Sequence, residues 1–289
     1  MLKLIRHAAR ACARRLGYRR KPVPFVMPTV ASDAKRRKLE LIRPLLRDDL
    51  PFVERDGCFD FLTDELRRQF NIIDTDNISA HGYDEIAQGL IEKYRGGLVL
   101  DCGAGLRGVY HENVVNFEIV PYPSTDVLGV GERLPFRDGS FDAVFSLNVL
   151  EHVKDPFTCA HEIARVMKPG ADLYCVVPFL QALHGYPNHY YNMTHQGLRN
   201  LFEQHLRVEE QRVLQSGLPI WTVSQCLRRW ADGLRGWTKY RFLRMRVIDL
   251  IGNPIDYLGL PQVKDLPAEF NFELASTTAL LAKKERRAA

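Results

Sequence analysis

The chain has 289 residues, 46% of them hydrophobic, which supplies a globular core and excludes an intrinsically disordered chain. Its formal charge of +5 is uneven: residues 1–30 hold eight Lys and Arg and no acid, so the remainder is net acidic and the basicity belongs to an arm. Six scattered cysteines (Cys12, Cys58, Cys102, Cys159, Cys175, Cys226) without a CxxC pair, no apolar run of 18 residues and no apolar signal core give the expectation of a reduced, cytoplasmic protein without disulfides or membrane spans.

In the first 21 residues Leu2, Ile5, Ala9, Cys12 and Leu16 recur at spacings of three and four, with basic residues over much of the rest. This predicts a short cationic amphipathic helix. It is compatible with packing on its own domain, adsorption to an anionic membrane surface, or an organellar transit peptide. RNA contact is disfavoured because only Tyr18 interleaves the charges. After Pro22, Pro24 and Pro28, a charged helix is predicted over 33–43, and residues 48–78 alternate short apolar pieces with acids. Residues 31–82 together read as an N-terminal cap.

An amphipathic helix over 83–94 leads into an apolar strand at Leu98, and strand and helix then alternate. Strands are predicted over 114–119, 125–130 and 141–147, then a helix over 157–167 and a strand over 171–177. Residues 106–113, between the first two strands, leave room for a helix of about two turns. A helix over 196–202, a strand over 208–214, a helical Trp-bearing insertion (about 215–270, with Trp221, Trp230 and Trp237) and a last strand over 276–283 complete the chain. Such alternation predicts an α/β protein with a doubly wound parallel sheet.

In an open α/β sheet, ligands bind beyond the carboxyl ends of the strands. The first such end carries LVLDCGAGLRG, residues 98–108, in which Gly103, Gly105 and Gly108 fit GxGxxG. Alone, that pattern is compatible with a dinucleotide, another nucleoside, or a turn that binds nothing. Glu118, at the second strand end, can accept the two hydroxyls of a ribose. Residues 131–136, 148–152 and the loop 178–194 follow the later strands.

Taken together, LVLDCGAGLRG, NFEI, GERLPFRDGSFDAVFSLNVLEHVKDPF and EIARVMKPGADLYCVVPFL resemble the class I S-adenosylmethionine-dependent methyltransferases, with a type 11-like domain, over about residues 95–205. The resemblance implies a Rossmann-like, seven-stranded, mostly parallel sheet over 83–289, with an N-terminal helical cap and a helical insertion before the last strand. It implies S-adenosylmethionine as methyl donor, with Asp101, Gly103 and Gly105 on its methionine half, Glu118 on its ribose, and Asn148 facing the methionine or the methyl. Asp101 also speaks against a dinucleotide, because a carboxylate there competes with a pyrophosphate but suits a ligand with a cationic amine and sulfonium. The family's usual adenine-contacting acid falls on Val130 here, which leaves Glu132 or the backbone near Gly131 for that contact.

The loop 178–198 concentrates His184, Tyr186, His189, Tyr190, Tyr191 and Asn192. Methyl transfer is an in-line displacement that needs alignment and exclusion of water, and an oxygen acceptor gains from a base that titrates near neutrality. His184 or His189 is the expected base, with Tyr190 orienting the acceptor or facing the sulfonium. Glu151 and His152 read as capping or packing groups, and no metal is expected. A stripe of Leu243, Val247, Leu250 and Ile251 reads as core or as a lid that touches lipid. The expected reaction moves a methyl group to an oxygen, less readily a nitrogen or carbon, of a small or lipid-linked acceptor such as a glycan or quinone precursor. An RNA methyltransferase and a catalytically silent cofactor-binding module are the rivals.

Overall fold

The computed structural model describes residues 30–55, 57–73, 78–182, 184, 188–233, 236–237, 240, 243, 252–259 and 276–284. The basic arm, Tyr186, the Trp230 side chain and most of the 243–251 stripe lie outside the described residues. The described residues fall into two compact units. The larger holds residues 30–179, 184, 188–214 and 277–284; the smaller holds 180–182 and the described residues of 215–276.

The larger unit is built on one sheet. In chain order its elements are α1 (Ser32–Ile42), β1 (Val53–Arg55), β2 (Cys58–Asp60), α2 (Asp64–Gln69), α3 (Glu85–Lys93), β3 (Val99–Cys102), β4 (Val114–Glu118), β5 (Val127–Leu128), β6 (Phe141–Leu147), α4 (Pro156–Val166), β7 (Met167–Pro178), α5 (His195–Phe202), β8 (Arg207–Arg212) and β9 (Thr277–Lys283). The strand order is β1-β2-β5-β4-β3-β6-β7-β9-β8. Pairing is parallel from β2 through β7 and antiparallel for β1, β8 and β9.

Three expectations need correction. Among the described residues the sheet has nine strands, because the cap is not only helical: its hairpin β1–β2 adds to β5 through Phe59↔Val127 and Asp60↔Leu128. Residues 106–113 contain no helix; each of their ends is tied instead, Leu106 N–H to the Ser79 carbonyl and Asn113 Nδ2 to the Ile91 and Tyr94 carbonyls. The strand predicted over 125–130 is only Val127–Leu128, because the Asp126 carboxylate accepts from the Asn116 amide of β4 and the Thr125 hydroxyl donates to the Val120 carbonyl.

Alternation along the strands sorts the core. Leu100, Val115 and Val144 pack with Leu39, Ile42, Phe59 and Phe136 on the face covered by the cap and α4, while Val99, Val114, Ala143 and Phe145 meet Ala87 and Ile91 of α3 on the other. Helices α3, α4 and α5 begin on side-chain caps, Asp84, Asp155 followed by Pro156, and Thr194, each accepting from the third amide onward. Both sheet edges, β1 and β8, are short and mostly exposed, with charges that blunt edge pairing.

The cap is fastened through a charge buried in its first helix. Lys38 Nζ donates to the Val114 carbonyl (2.6 Å) and Asp126 (3.0 Å), over the Tyr110 ring at 3.4 Å, and is fully buried. Burial lowers its pKa from 10.5 to about 8, against the opposing pull of Asp126. The folded chain therefore releases this proton before the unfolded chain does, and stability contributed at this site rises between pH 8 and 10.5. Urea unfolding should show wild type gaining about 1–3 kcal/mol on Lys38→Met over that interval. Parallel pH profiles for the two proteins would contradict the assignment.

In the smaller unit, α6 (Pro219–Gly233) is held at its start by Trp221 Nε1 on the Gln215 carbonyl and along its length by Ser224 and Arg228 on the Gly252 carbonyl. Trp237 stacks on Tyr240 with ring centroids 4.9 Å apart and is 71% exposed. No helix among the described residues is long and apolar enough to cross a membrane.

Candidate active site

The neighbours of β3 are β4 on one side and β6 on the other, so the chain winds away from this strand in both directions. A crevice opens at the carboxyl ends of strands at such a switch point. The glycine turn follows β3 there. Gly103 and Gly105 have φ of +77° and +62°, and a Cβ on them would lie 2.4 Å from a Val149 methyl and 2.6 Å from the Ser79 carbonyl oxygen. Gly108 has no such constraint, with nothing within 4 Å of a built Cβ.

Five consecutive amides of this turn already have partners. Those of Gly103 and Ala104 donate to the Phe117 carbonyl, Gly105 to Glu118 Oε2 (2.7 Å), Leu106 to the Ser79 carbonyl and Arg107 to Ser124 Oγ. A pyrophosphate site needs free amides at the start of a helix, and this turn offers neither.

The turn instead presents acids. Asp101 is fully buried; its Oδ2 accepts from Tyr83 Oη (2.6 Å) and Arg107 Nε (2.9 Å) and is ion-paired with a terminal guanidinium nitrogen of Arg107 at 2.6 Å. Its Oδ1 has no hydrogen-bond partner among the described residues. Arg107 is held over the Tyr83 ring at 4.1 Å and donates to the His81 carbonyl. Burial beside the Asp101 carboxylate pushes the Tyr83 hydroxyl pKa well up, so it stays a donor. Sequence reasoning missed Tyr83 and Arg107; an arginine inside the glycine turn was the available signal.

Glu118 accepts from the Gly105 and Ile119 amides, one on each oxygen, which leaves lone pairs on both. Burial raises its pKa, tempered by those two amides. Val130 faces the apolar cluster of Cys58, Leu62 and Leu128. Gly131 opens a 3-10 turn whose Cβ position is 3.0 Å from Cys159 Sγ, and Glu132, its pKa raised by burial, accepts from the Lys154 amide.

At the end of β6, Asn148 is exposed with φ of +57°, one of two non-glycine residues with positive φ among those described. The next turn buries Glu151 completely, and neither of its carboxylate oxygens has a hydrogen-bond partner among the described residues. Its backbone carbonyl accepts from the Tyr190 and Tyr191 amides, which ties the loop after β7 to this turn. The Nε2 atoms of His152 and His184 each lie 3.8 Å from Glu151 Oε1. His152 Nδ1 faces the Asn188 carbonyl at 2.6 Å. The His189 ring lies 4.4 Å from that of His184, with its Nδ1 accepting the His184 amide and its Nε2 against Asn192 Oδ1 and the Tyr191 carbonyl. Both ring nitrogens of His189 are therefore engaged. Tyr190 is 38% exposed at the rim.

The structure thus brings Gly105 to Glu118, Gly103 to the residue after Asn148, and His184 to His189, Glu151 and His152. The last two were read as capping or packing groups, since two adjacent residues and a third 32 positions on form no local motif.

A doubly wound sheet whose switch point carries acids and occupied amides suits a phosphate-free, cationic ligand. Residues 102–175 match the family described as a methyltransferase domain. Cycloartenol-C-24-methyltransferase 1 of Oryza sativa subsp. japonica is 35% identical over 101 residues, 35% of this chain and 25% of that protein. An uncharacterized methyltransferase of Mycobacterium sp. (strain JLS) is 40% identical over 65 residues, 22% of this chain and 25% of that one. The matches therefore span about a quarter of each relative's length. A putative sarcosine dimethylglycine methyltransferase from Galdieria sulphuraria overlays with a TM-score of 0.40 at 15% identity, covering 72% of this chain and 94% of that one. The match runs from the glycine turn into β7 and supports S-adenosylmethionine as the ligand of this site.

The residues present fit that donor. The unpartnered Asp101 Oδ1 is a buried anionic acceptor suited to the methionine ammonium, and Glu118 retains lone pairs for ribose hydroxyls. No acid stands at Val130 for the adenine amine.

Proposed function

We propose that the protein transfers a methyl group from S-adenosylmethionine to an oxygen of a small or lipid-linked acceptor, with the product S-adenosylhomocysteine. When bound, the donor would supply an electrophilic methyl carbon on a sulfonium, with the neutral thioether of S-adenosylhomocysteine as the leaving group. Asp101 and Glu118 hold the donor's two polar ends, and the closely packed glycine turn excludes side chains from it. His184, backed by the buried Glu151 carboxylate, handles the acceptor proton, and His189 positions His184 through its backbone amide.

The observation that carries this reading is Glu151, a buried carboxylate without a hydrogen-bond donor beneath two imidazoles at the switch-point end of the sheet. A lone buried carboxylate is costly, and a group kept in that state serves the chemistry above it. An exposed, stacked Trp237–Tyr240 pair in the insertion suits an amphipathic acceptor or a lipid surface. The rice relative's name places its methyl group on C-24, which keeps carbon as the second acceptor atom.

The test is S-adenosylhomocysteine release against a panel of hydroxylated small molecules, quinone precursors and lipid-linked glycans. His184→Ala should keep S-adenosylhomocysteine affinity in calorimetry and lose about 10²–10⁴-fold in turnover. An unchanged rate removes His184 from the mechanism.

A further inference from the structure

We propose that Glu151, His152 and His184 form a binding site for a divalent transition-metal ion of the zinc type. This deepens the methyl-transfer reading and rests on it for the ion's role, though not for its binding. Three donor atoms, Glu151 Oε1 and the Nε2 atoms of His152 and His184, lie within 4.8 Å of one another. The two carboxylate–imidazole separations are 3.8 Å, too long for hydrogen bonds. They suit donors that share an ion, since two ligands about 2.1 Å from zinc stand about 3.4 Å apart at the tetrahedral angle and about 4.2 Å apart when opposite.

Tautomers point the same way. His152 Nδ1 faces the Asn188 carbonyl at 2.6 Å, so it carries the proton and leaves the Nε2 lone pair directed at a carboxylate. With a neutral imidazole, two electron-rich atoms face each other beside a fully buried carboxylate, an arrangement that calls for a second proton or a metal cation between them. An imidazole that donates its far N–H to a backbone carbonyl is also the usual support for a metal-ligating histidine. The independent observation is Glu151 itself, completely buried with both oxygens unpartnered among the described residues.

Two histidines and one carboxylate are the donor set of catalytic zinc sites, which keep an open coordination position, while structural sites close it with a fourth protein ligand. An acceptor hydroxyl in that open position would be acidified by the ion and would give its proton to solvent. His184 then acts as a ligand, and activation of the oxygen passes from an imidazole base to a Lewis acid.

The experiment uses the full-length chain, stripped with a chelator and titrated with Zn²⁺ against a chromophoric competitor and with Co²⁺ by visible absorption. One equivalent should bind, with the intense absorption of a low-symmetry Co²⁺ site. Glu151→Gln, isosteric, and His184→Ala, at a half-exposed position, should each weaken binding at least about 10–100-fold. Absence of a stoichiometric site in wild type, or wild-type affinity in either variant, overturns the proposal. Calorimetry with S-adenosylhomocysteine on the same samples separates the two readings: retained nucleoside binding beside absent metal binding sinks the ion site alone. Stoichiometric metal binding that both variants weaken supports the ion site whether or not the nucleoside binds.

Discussion

Replacing Asp101 with Asn should lower S-adenosylhomocysteine affinity by about 10–100-fold, the worth of one charge-assisted hydrogen bond in a buried site. The same change strips Arg107 of its buried counter-charge. A guanidinium that is 4% exposed and loses its carboxylate costs about 3–5 kcal/mol. For a domain of this size that is a drop in Tm of about 6–20 °C, so lost binding alone does not separate a cofactor role from a folding role. The double variant Asp101→Asn/Arg107→Met separates them, because exchanging a buried ion pair for neutral groups of similar volume is often neutral for stability. Calorimetry and thermal unfolding should then show a Tm near that of wild type with nucleoside affinity still lost. Wild-type affinity in the double variant would show that Asp101 serves only to hold Arg107.

What the sequence disclosed follows from where each signal lives. Strands β3, β4, β6 and β7 carry apolar residues on both faces, as a sheet buried on both faces needs, and their order along the chain predicts a doubly wound sheet. The positions of Asp101, Gly103, Gly105 and Glu118 were legible for the same reason: they sit at strand ends, within a few residues of the strand that aims them. The hairpin β1–β2 was not legible. Its strands have three residues each, and what fixes them is pairing with β5, nearly 70 residues downstream. Lys38 was read as one charge among many on a helix over 33–43, yet it is buried because Asp126 and the Val114 carbonyl, from another part of the sheet, converge on it. Glu151 and His152 fared likewise. Their neighbours His184, Asn188 and Tyr190 arrive from a loop more than 30 positions later, so local spacing carries no trace of the cluster. Local periodicity reports strands and helices; convergence of loops is decided by topology.

Gly105→Ala should abolish measurable nucleoside binding and lower Tm, while Gly108→Ala should change neither. At Gly105 the backbone has φ of +62°, a conformation that costs an alanine about 1–2 kcal/mol. The new methyl would also stand 2.6 Å from the Ser79 carbonyl oxygen, and that oxygen is backbone, fixed by the Leu106 amide at 2.7 Å and the adjoining Ala80–Leu106 bridge. Relief requires the 78–80 segment or the turn itself to move, at the usual overpacking cost of about 1–3 kcal/mol. Movement of the turn breaks the Gly105 amide bond to Glu118, so the carboxylate assigned to the ribose loses its orientation. Gly108 has ordinary φ and open space where its Cβ would stand, and serves as the internal control. Thermal unfolding and calorimetry with S-adenosylhomocysteine on the two variants check both halves. If Gly105→Ala bound the nucleoside like wild type, the turn would not be the floor of the site. If Gly108→Ala lost binding, the third glycine would contact the ligand after all, and the dinucleotide-like GxGxxG pattern would regain its standing.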